Sequence, residues 1–286
     1  MRPVTKSKLF RLLRPVAICY LLFCVLLALL QRRLIYHPSQ ATEPAMLEQA
    51  RAARCEPWRA PGGAIIGWKA VRPPGPPPAH RLVVFHGNAG CALQRRHYIE
   101  GFGELDDGDS WEVFLFEYPG YGARPGEISE ASFIEAGVQA LDALAAADSR
   151  PIYLLGESLG SGLACALARR QPQRVAGLFL VTPLASLGGV AAHHYPFLPV
   201  RLLLRDRWDN GAALRDYPGP VAVFLAGEDE VVTAAQGRLL YEQFAGRKHL
   251  SVEPHVGHND FSATAVWWRP VSDFLLADAP ARLSPP

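Results

Sequence analysis

Five short apolar runs recur through the middle of the chain: 82–85 (LVVF), 113–116 (VFLF), 152–155 (IYLL), 178–181 (LFLV) and 221–225 (VAVFL). Each run is continuous rather than alternating, the pattern of strands buried on both faces. Helical stretches separate them at 131–147, 161–171 and 234–244. Strands that alternate with helices close through right-handed crossovers, so the rhythm predicts an α/β fold with a mostly parallel central sheet flanked by helices. Paired short strands are expected over 63–71, a last strand over 250–252 and a last helix over 265–276. The stretch 72–79 (RPPGPPPA) admits no central strand, because proline cannot donate to a sheet ladder.

One segment breaks the rhythm. Residues 184–217 separate two strands by more than a crossover needs, which suggests a small cap insertion over a site.

The N-terminus has its own signature. Residues 15–30 (PVAICYLLFCVLLALL) carry no charge. Arg2, Lys6, Lys8, Arg11 and Arg14 precede the run, and Arg32 and Arg33 follow it. Basic clusters at both ends of an uncharged run suit a membrane span better than a core helix. No A-x-A cleavage site follows, so an uncleaved single-pass anchor is expected. The basic excess ahead of the run puts the N-terminus in the cytoplasm and the rest of the chain on the opposite side. The organisation read this way is an anchor segment over 1–33, a connector over 34–60, an α/β domain over 61–280 that carries the cap, and a tail over 281–286. A formal net charge of +2, with no basic stripe beyond the N-terminus, gives nucleic-acid binding no electrostatic support. Five scattered cysteines form no disulfide framework or zinc spacing, and no metal or cofactor is expected.

Gly156-Glu157-Ser158-Leu159-Gly160 stands where the run 152–155 meets the alanine-rich helical stretch. In G-x-S-x-G a strand ends in a tight turn that lifts the serine over the sheet, and the glycines spare a collision with neighbouring backbone. A serine hydroxyl needs a base and an orienting acid, which follow it in this architecture as Asp or Glu and then His. Asp229 in Gly227-Glu228-Asp229-Glu230 is the expected orienter, with Glu228 and Glu230 as its competitors. The base is His258 or His255, with His249 less well placed. The oxyanion of an acyl transfer needs N–H donors. One is expected from Leu159, the other from Asn88 in His86-Gly87-Asn88-Ala89-Gly90 after the run 82–85.

On these motifs the chain resembles the α/β-hydrolase superfamily, in particular a branch with an N-terminal membrane anchor and an H-G-N-A-G oxyanion loop. That branch includes protein depalmitoylases and lysophospholipase-like enzymes. Further matches are Leu34-Ile35-Tyr36-His37-Pro38, Tyr118-Pro119-Gly120-Tyr121-Gly122, Thr182-Pro183-Leu184 and Gly257-His258-Asn259-Asp260. Cys91 and the stretch 127–130 depart from the branch's usual pattern. The resemblance implies an α/β-hydrolase fold and a triad of Ser158, Asp229 and His258, and so favours His258 over His255. It also implies a serine hydrolase of carboxylic esters or thioesters acting on a small-molecule acyl substrate at a membrane, and the apolar residues of 184–217, among them Leu184, Tyr195, Phe197, Leu202 and Trp208, are expected around its acyl chain. A peptidase or amidase of the same fold and a catalytically silent membrane-anchored interaction module are the competing expectations.

Overall fold

The computed structural model describes residues 6–105, 111–260 and 265–277. Arg2 and the expected tail over 281–286 lie outside the described residues. Eight strands form the main sheet: β1 (Cys55–Arg59), β2 (Ile65–Ala70), β3 (His80–Phe85), β4 (Trp111–Phe116), β5 (Ile152–Glu157), β6 (Val175–Val181), β7 (Val221–Ala226) and β8 (Lys248–Glu253). Their spatial order is β8-β7-β6-β5-β3-β4-β2-β1. The strands from β3 onward pair in parallel, while β1 and β2 add an antiparallel edge. All five apolar runs fall inside these strands, and the expected late strand extends over β8. Segment 34–60, read as connector, supplies the edge strand β1.

Helices cover both faces. α4 (Glu130–Ala147) and α5 (Gly160–Arg170) bury small and leucine side chains against one face. Cys165 is completely buried among them, as a small hydrophobe would be. On the other face, Phe102 of α3 (His97–Gly103) stacks on Trp268 of α10 (Ala265–Leu276) with ring centroids 5.1 Å apart. Arg81 in β3 is buried, with both terminal guanidinium nitrogens paired. Its guanidinium donates to the carbonyls of Leu144, Asp148 and Arg150, where α4 ends and a cation meets the helix dipole favourably.

The strand order sets the place of the site. The chain passes from β3 to β4 on one side, then crosses to β5 on the other side of β3. Open α/β sheets bind ligands at the carboxyl ends of strands flanking such a switch point. Phe85 and Gly156 face each other in register there, immediately before the H-G-N-A-G and G-E-S-L-G turns.

α1 (Lys6–Ile35) contains the apolar run, and its segment Leu13–Ile35 is long and apolar enough to cross a membrane. The segment 187–214 forms three short helices, α6 (Leu187–His194), α7 (Val200–Leu203) and α8 (Asn210–Leu214). Its apolar residues divide sharply, which corrects the expectation that they all surround one acyl chain. Leu184 and Trp208 are buried in the core, whereas Tyr195, Phe197 and Leu202 face outward. Trp208 is held from below: its Nε1–H donates to Tyr36 Oη (2.9 Å), and Tyr36 O–H donates to the buried Asp206 (2.8 Å). Arg32 also reaches Asp206, at 3.3 Å. The last turn of α1 and the residues after it are thus pinned to the cap through one buried carboxylate. Tyr36→Phe leaves Trp208 Nε1 and Asp206 each short of a partner, a loss of about 1–3 kcal/mol for buried polar groups. Thermal melting of the detergent-solubilised protein is expected to fall by roughly 2–4 °C for each kcal/mol lost. An unchanged melting temperature would contradict the pinning.

Candidate active site

Ser158 adopts φ +52°, a left-handed conformation that costs a residue with a Cβ about 1–3 kcal/mol and persists only where surroundings enforce it. Here they do. Ser158 N–H donates to the Val181 carbonyl at the end of β6 (2.9 Å). Ser158 C=O accepts from Ser161 N–H (3.0 Å) and from Ser161 Oγ–H (2.6 Å). Asn210 Nδ2 in turn donates to Ser161 Oγ and to the Leu184 carbonyl, which ties the turn to the cap base. The flanking glycines are a steric requirement. A Cβ on Gly156 would lie 2.5 Å from Ser161 Cα, and one on Gly160 would lie 2.1 Å from the Phe85 carbonyl oxygen. The sharp turn therefore packs directly against the end of β3.

The other candidates converge on this serine. His258 Nε2 lies 3.0 Å from Ser158 Oγ, and His258 Nδ1 lies 2.6 Å from Asp229 Oδ2. With Nδ1 donating to the carboxylate, Nε2 carries the lone pair that faces the hydroxyl. The second oxygen of Asp229 accepts from Val231 N–H (2.9 Å) and Val232 N–H (2.8 Å), so the carboxylate is fixed in orientation. Glu228 is not in this chain; it meets His255, and both side chains are largely exposed. His249 lies within β8 and contacts Ser251. Among the described residues the N–H groups of Asn88 and Leu159 donate to nothing, whereas the Ser158 N–H is taken. No group of three or more His, Cys, Asp or Glu that could hold a metal is present among the described residues.

Two supporting features were not legible as such. The first is Glu157, the residue before the serine. Its carboxylate accepts from Arg95 Nε (3.0 Å to each oxygen) and from Tyr98 O–H (2.9 Å). Arg95 ends the short helix that follows the H-G-N-A-G loop, so this ion pair ties the two turns together from beneath. Burial alone would raise the carboxyl pKa, but the Arg95 charge and the two donors outweigh it and pull Glu157 below its usual range. The second is the segment after α1. His37–Pro38 pairs in parallel with Ala89–Gly90, His37 N–H donates to Asn88 C=O (3.0 Å), and Asn88 Nδ2 donates to Ile35 C=O (2.9 Å). Tyr121 O–H adds a further bond to Asn88 C=O (2.7 Å). The Asn88 carbonyl accepts two bonds and its side-chain amide donates a third, while its backbone N–H takes part in none of them. Leu34–Pro38 and Tyr118–Gly122 were visible as motifs, yet only the fold reveals that they clamp this loop.

Comparisons with known proteins bear on the family and the fold. The family model described as alpha/beta hydrolase fold matches residues 80–213. An uncharacterized protein of Mycobacterium tuberculosis is 35% identical over 235 residues, covering 80% of this chain and 81% of that protein. Alpha/beta hydrolase domain-containing protein 17C of Xenopus laevis is 28% identical, covering 78% of this chain and 70% of its own. Among solved structures, a Pyrococcus furiosus esterase superposes with a TM-score of 0.59 at 15% identity, over 85% of this chain and 97% of its own. Est1E of Butyrivibrio proteoclasticus, with ferulic acid bound, gives 0.58 at 16% identity, over 72% and 92%.

The Glu157 ion pair carries a pH signature. A carboxyl whose folded pKa is depressed adds stability above its unfolded value, here 4.5, and loses it as pH falls through the folded value. Glu157→Gln is expected to be less stable than wild type at neutral pH, with the gap closing as pH drops below 4.5. Denaturant midpoints measured across that range check it. A gap that does not change with pH would contradict an ionised Glu157.

Proposed function

The chain belongs to the α/β-hydrolase family, and we propose that it is a serine hydrolase of carboxylic esters or thioesters working through an acyl-enzyme. The observation that carries this reading is the unbroken chain from Ser158 Oγ to His258 to Asp229, at 3.0 and 2.6 Å, built on a strained turn. Ser158 Oγ attacks the acyl carbon while His258 Nε2 takes its proton. Asp229 holds the imidazole and stabilises the cation that forms. The Asn88 and Leu159 N–H groups receive the negative charge that develops on the carbonyl oxygen. Collapse expels the alcohol or thiol, which leaves with the proton from His258. Water, deprotonated by His258, then attacks the acyl-Ser158 carbonyl; the bond from the acyl carbon to Oγ breaks, the carboxylic acid leaves, and His258 returns the proton to Ser158 Oγ.

The esterase activity named for the Pyrococcus furiosus fold neighbour supports the ester class. The apolar helix Leu13–Ile35 supports a single-pass anchor, with the N-terminus cytoplasmic and the hydrolase domain on the other side, as the basic residues before the span suggest. An anchored site faces substrates that are themselves held in lipid, which favours acyl groups of medium or greater length. Burial of each methylene of such a chain contributes ~0.8 kcal/mol.

Wild type is expected to label with a fluorophosphonate probe, and Ser158→Ala is not. His258→Ala and Asp229→Asn should each lower short-chain ester turnover by roughly three orders of magnitude or more, since the three act as one unit. His255→Ala should remain within a few-fold of wild type, because its exposed ring meets only Glu228. Labelling of Ser158→Ala, or full activity of His258→Ala, would overturn the assignment.

A further inference from the structure

The cap does not stand clear of α1; it runs alongside it. Tyr20 O–H donates to the Phe197 carbonyl (2.7 Å). Gln31 Nε2 donates to the Leu203 carbonyl (3.0 Å), and Gln31 Oε1 accepts from Arg205 N–H (2.7 Å). Arg32 then pairs with Asp206. The chain from Phe197 to Asp206 therefore follows the helix from Tyr20 to Arg32. At 1.5 Å rise per residue, Tyr20 lies roughly 16 Å below Gln31, about half the thickness of a bilayer's hydrocarbon core.

The residues on this stretch match that depth. Residues 195–204 read YPFLPVRLLL, with Arg201 as their one charge. Tyr195, Phe197 and Leu202 are 53%, 64% and 87% exposed, an apolar surface that no described residue covers. On α1 itself, Val16, Leu21, Leu22 and Val25 are more than half exposed, so the cap tip that Tyr20 holds lies against a helix that is itself apolar on its surface. An uncharged helix that enters a bilayer takes whatever is bonded to its middle with it. Arg201, Arg205 and Arg207 are exposed along or just beyond the stretch, and the long side chain of Arg201 can reach outward to headgroups.

We propose that the cap segment Tyr195–Leu202 is a membrane-inserted wedge, immersed in the lipid hydrocarbon beside α1. This rests on the anchor reading above and goes beyond it, because it places part of the hydrolase domain, and not only the helix, inside the bilayer. The wedge joins directly to the reaction centre. His194, at the end of α6, meets the Val231 carbonyl (2.9 Å) through Nε2, and Val231 N–H binds Asp229. One helix of eight residues thus separates the wedge from the base of the cap beside the serine turn.

The test uses the full-length chain in phosphatidylcholine vesicles, with Cys19→Ser removing the exposed native thiol and leaving the four buried ones. An environment-sensitive fluorophore is attached in turn through Leu202→Cys, Val25→Cys and Glu242→Cys. Lipids brominated along the acyl chain are expected to quench the labels at 202 and 25 several-fold and to leave the label at 242 unaffected. Quenching at 25 but not at 202 would overturn the wedge while leaving the anchor intact. Quenching at neither would overturn both. Unaltered melting of each labelled protein excludes unfolding as the source of any difference.

Discussion

One strained residue governs the arrangement around it. Ser158 is held at φ +52° by its neighbours, and every one of those neighbours is itself fixed by the fold. The end of β6 takes its N–H, the first turn of α5 takes its carbonyl, and the end of β3 leaves no room for a side chain at Gly160. The parallel register of β3 with β5 puts the Asn88 loop beside the serine, and the order of β5, β6, β7 and β8 brings the Asp229 and His258 loops to the same rim. A local conformation worth about 1–3 kcal/mol of strain is thereby maintained by a sheet that would be stable without it. The converse does not hold for the site: a relaxed serine would leave the reach of His258.

The second dependence runs through α1. The helix is more than a tether, because its last residues and the segment after it enter two structures at once. Gln31, Arg32 and Tyr36 fasten the cap, through backbone groups of Leu203 and Arg205 and through the buried carboxylate of Asp206. Ile35 and His37 fasten the Asn88 loop. Any force on the helix from its surroundings therefore reaches both the cap and the Asn88 loop. A domain that simply hung from a flexible linker would show neither set of bonds.

Much of this was readable in the chain. Continuous apolar runs located the central strands, because strands covered on both faces leave an unalternated record. G-E-S-L-G announced the turn, since only glycine fits where a Cβ would meet backbone at 2.1–2.5 Å. Loop position and the family resemblance together singled out Asp229 and His258 over Glu228 and His255, and the fold brings the chosen pair together beside Ser158. The ion pair of Glu157 with Arg95 left no local signal, because the partners lie far apart in sequence and meet only through the pairing of β3 with β5. The cap misled for a related reason. Composition marks Trp208 and Phe197 alike as apolar, but burial depends on what lies beneath. Tyr36 and α5 cover the first, and nothing among the described residues covers the second.

The central claim is that Ser158 carries the acyl group during turnover. The most direct measurement is intact-protein and peptide mass spectrometry of the enzyme quenched in acid within the first turnovers of a p-nitrophenyl octanoate ester. If Ser158 is the nucleophile, the mass rises by one octanoyl group, located on the peptide that contains Ser158, with a burst of p-nitrophenol and decay at the rate of hydrolysis. Turnover with no acyl adduct, or with the adduct on a different residue, would contradict it.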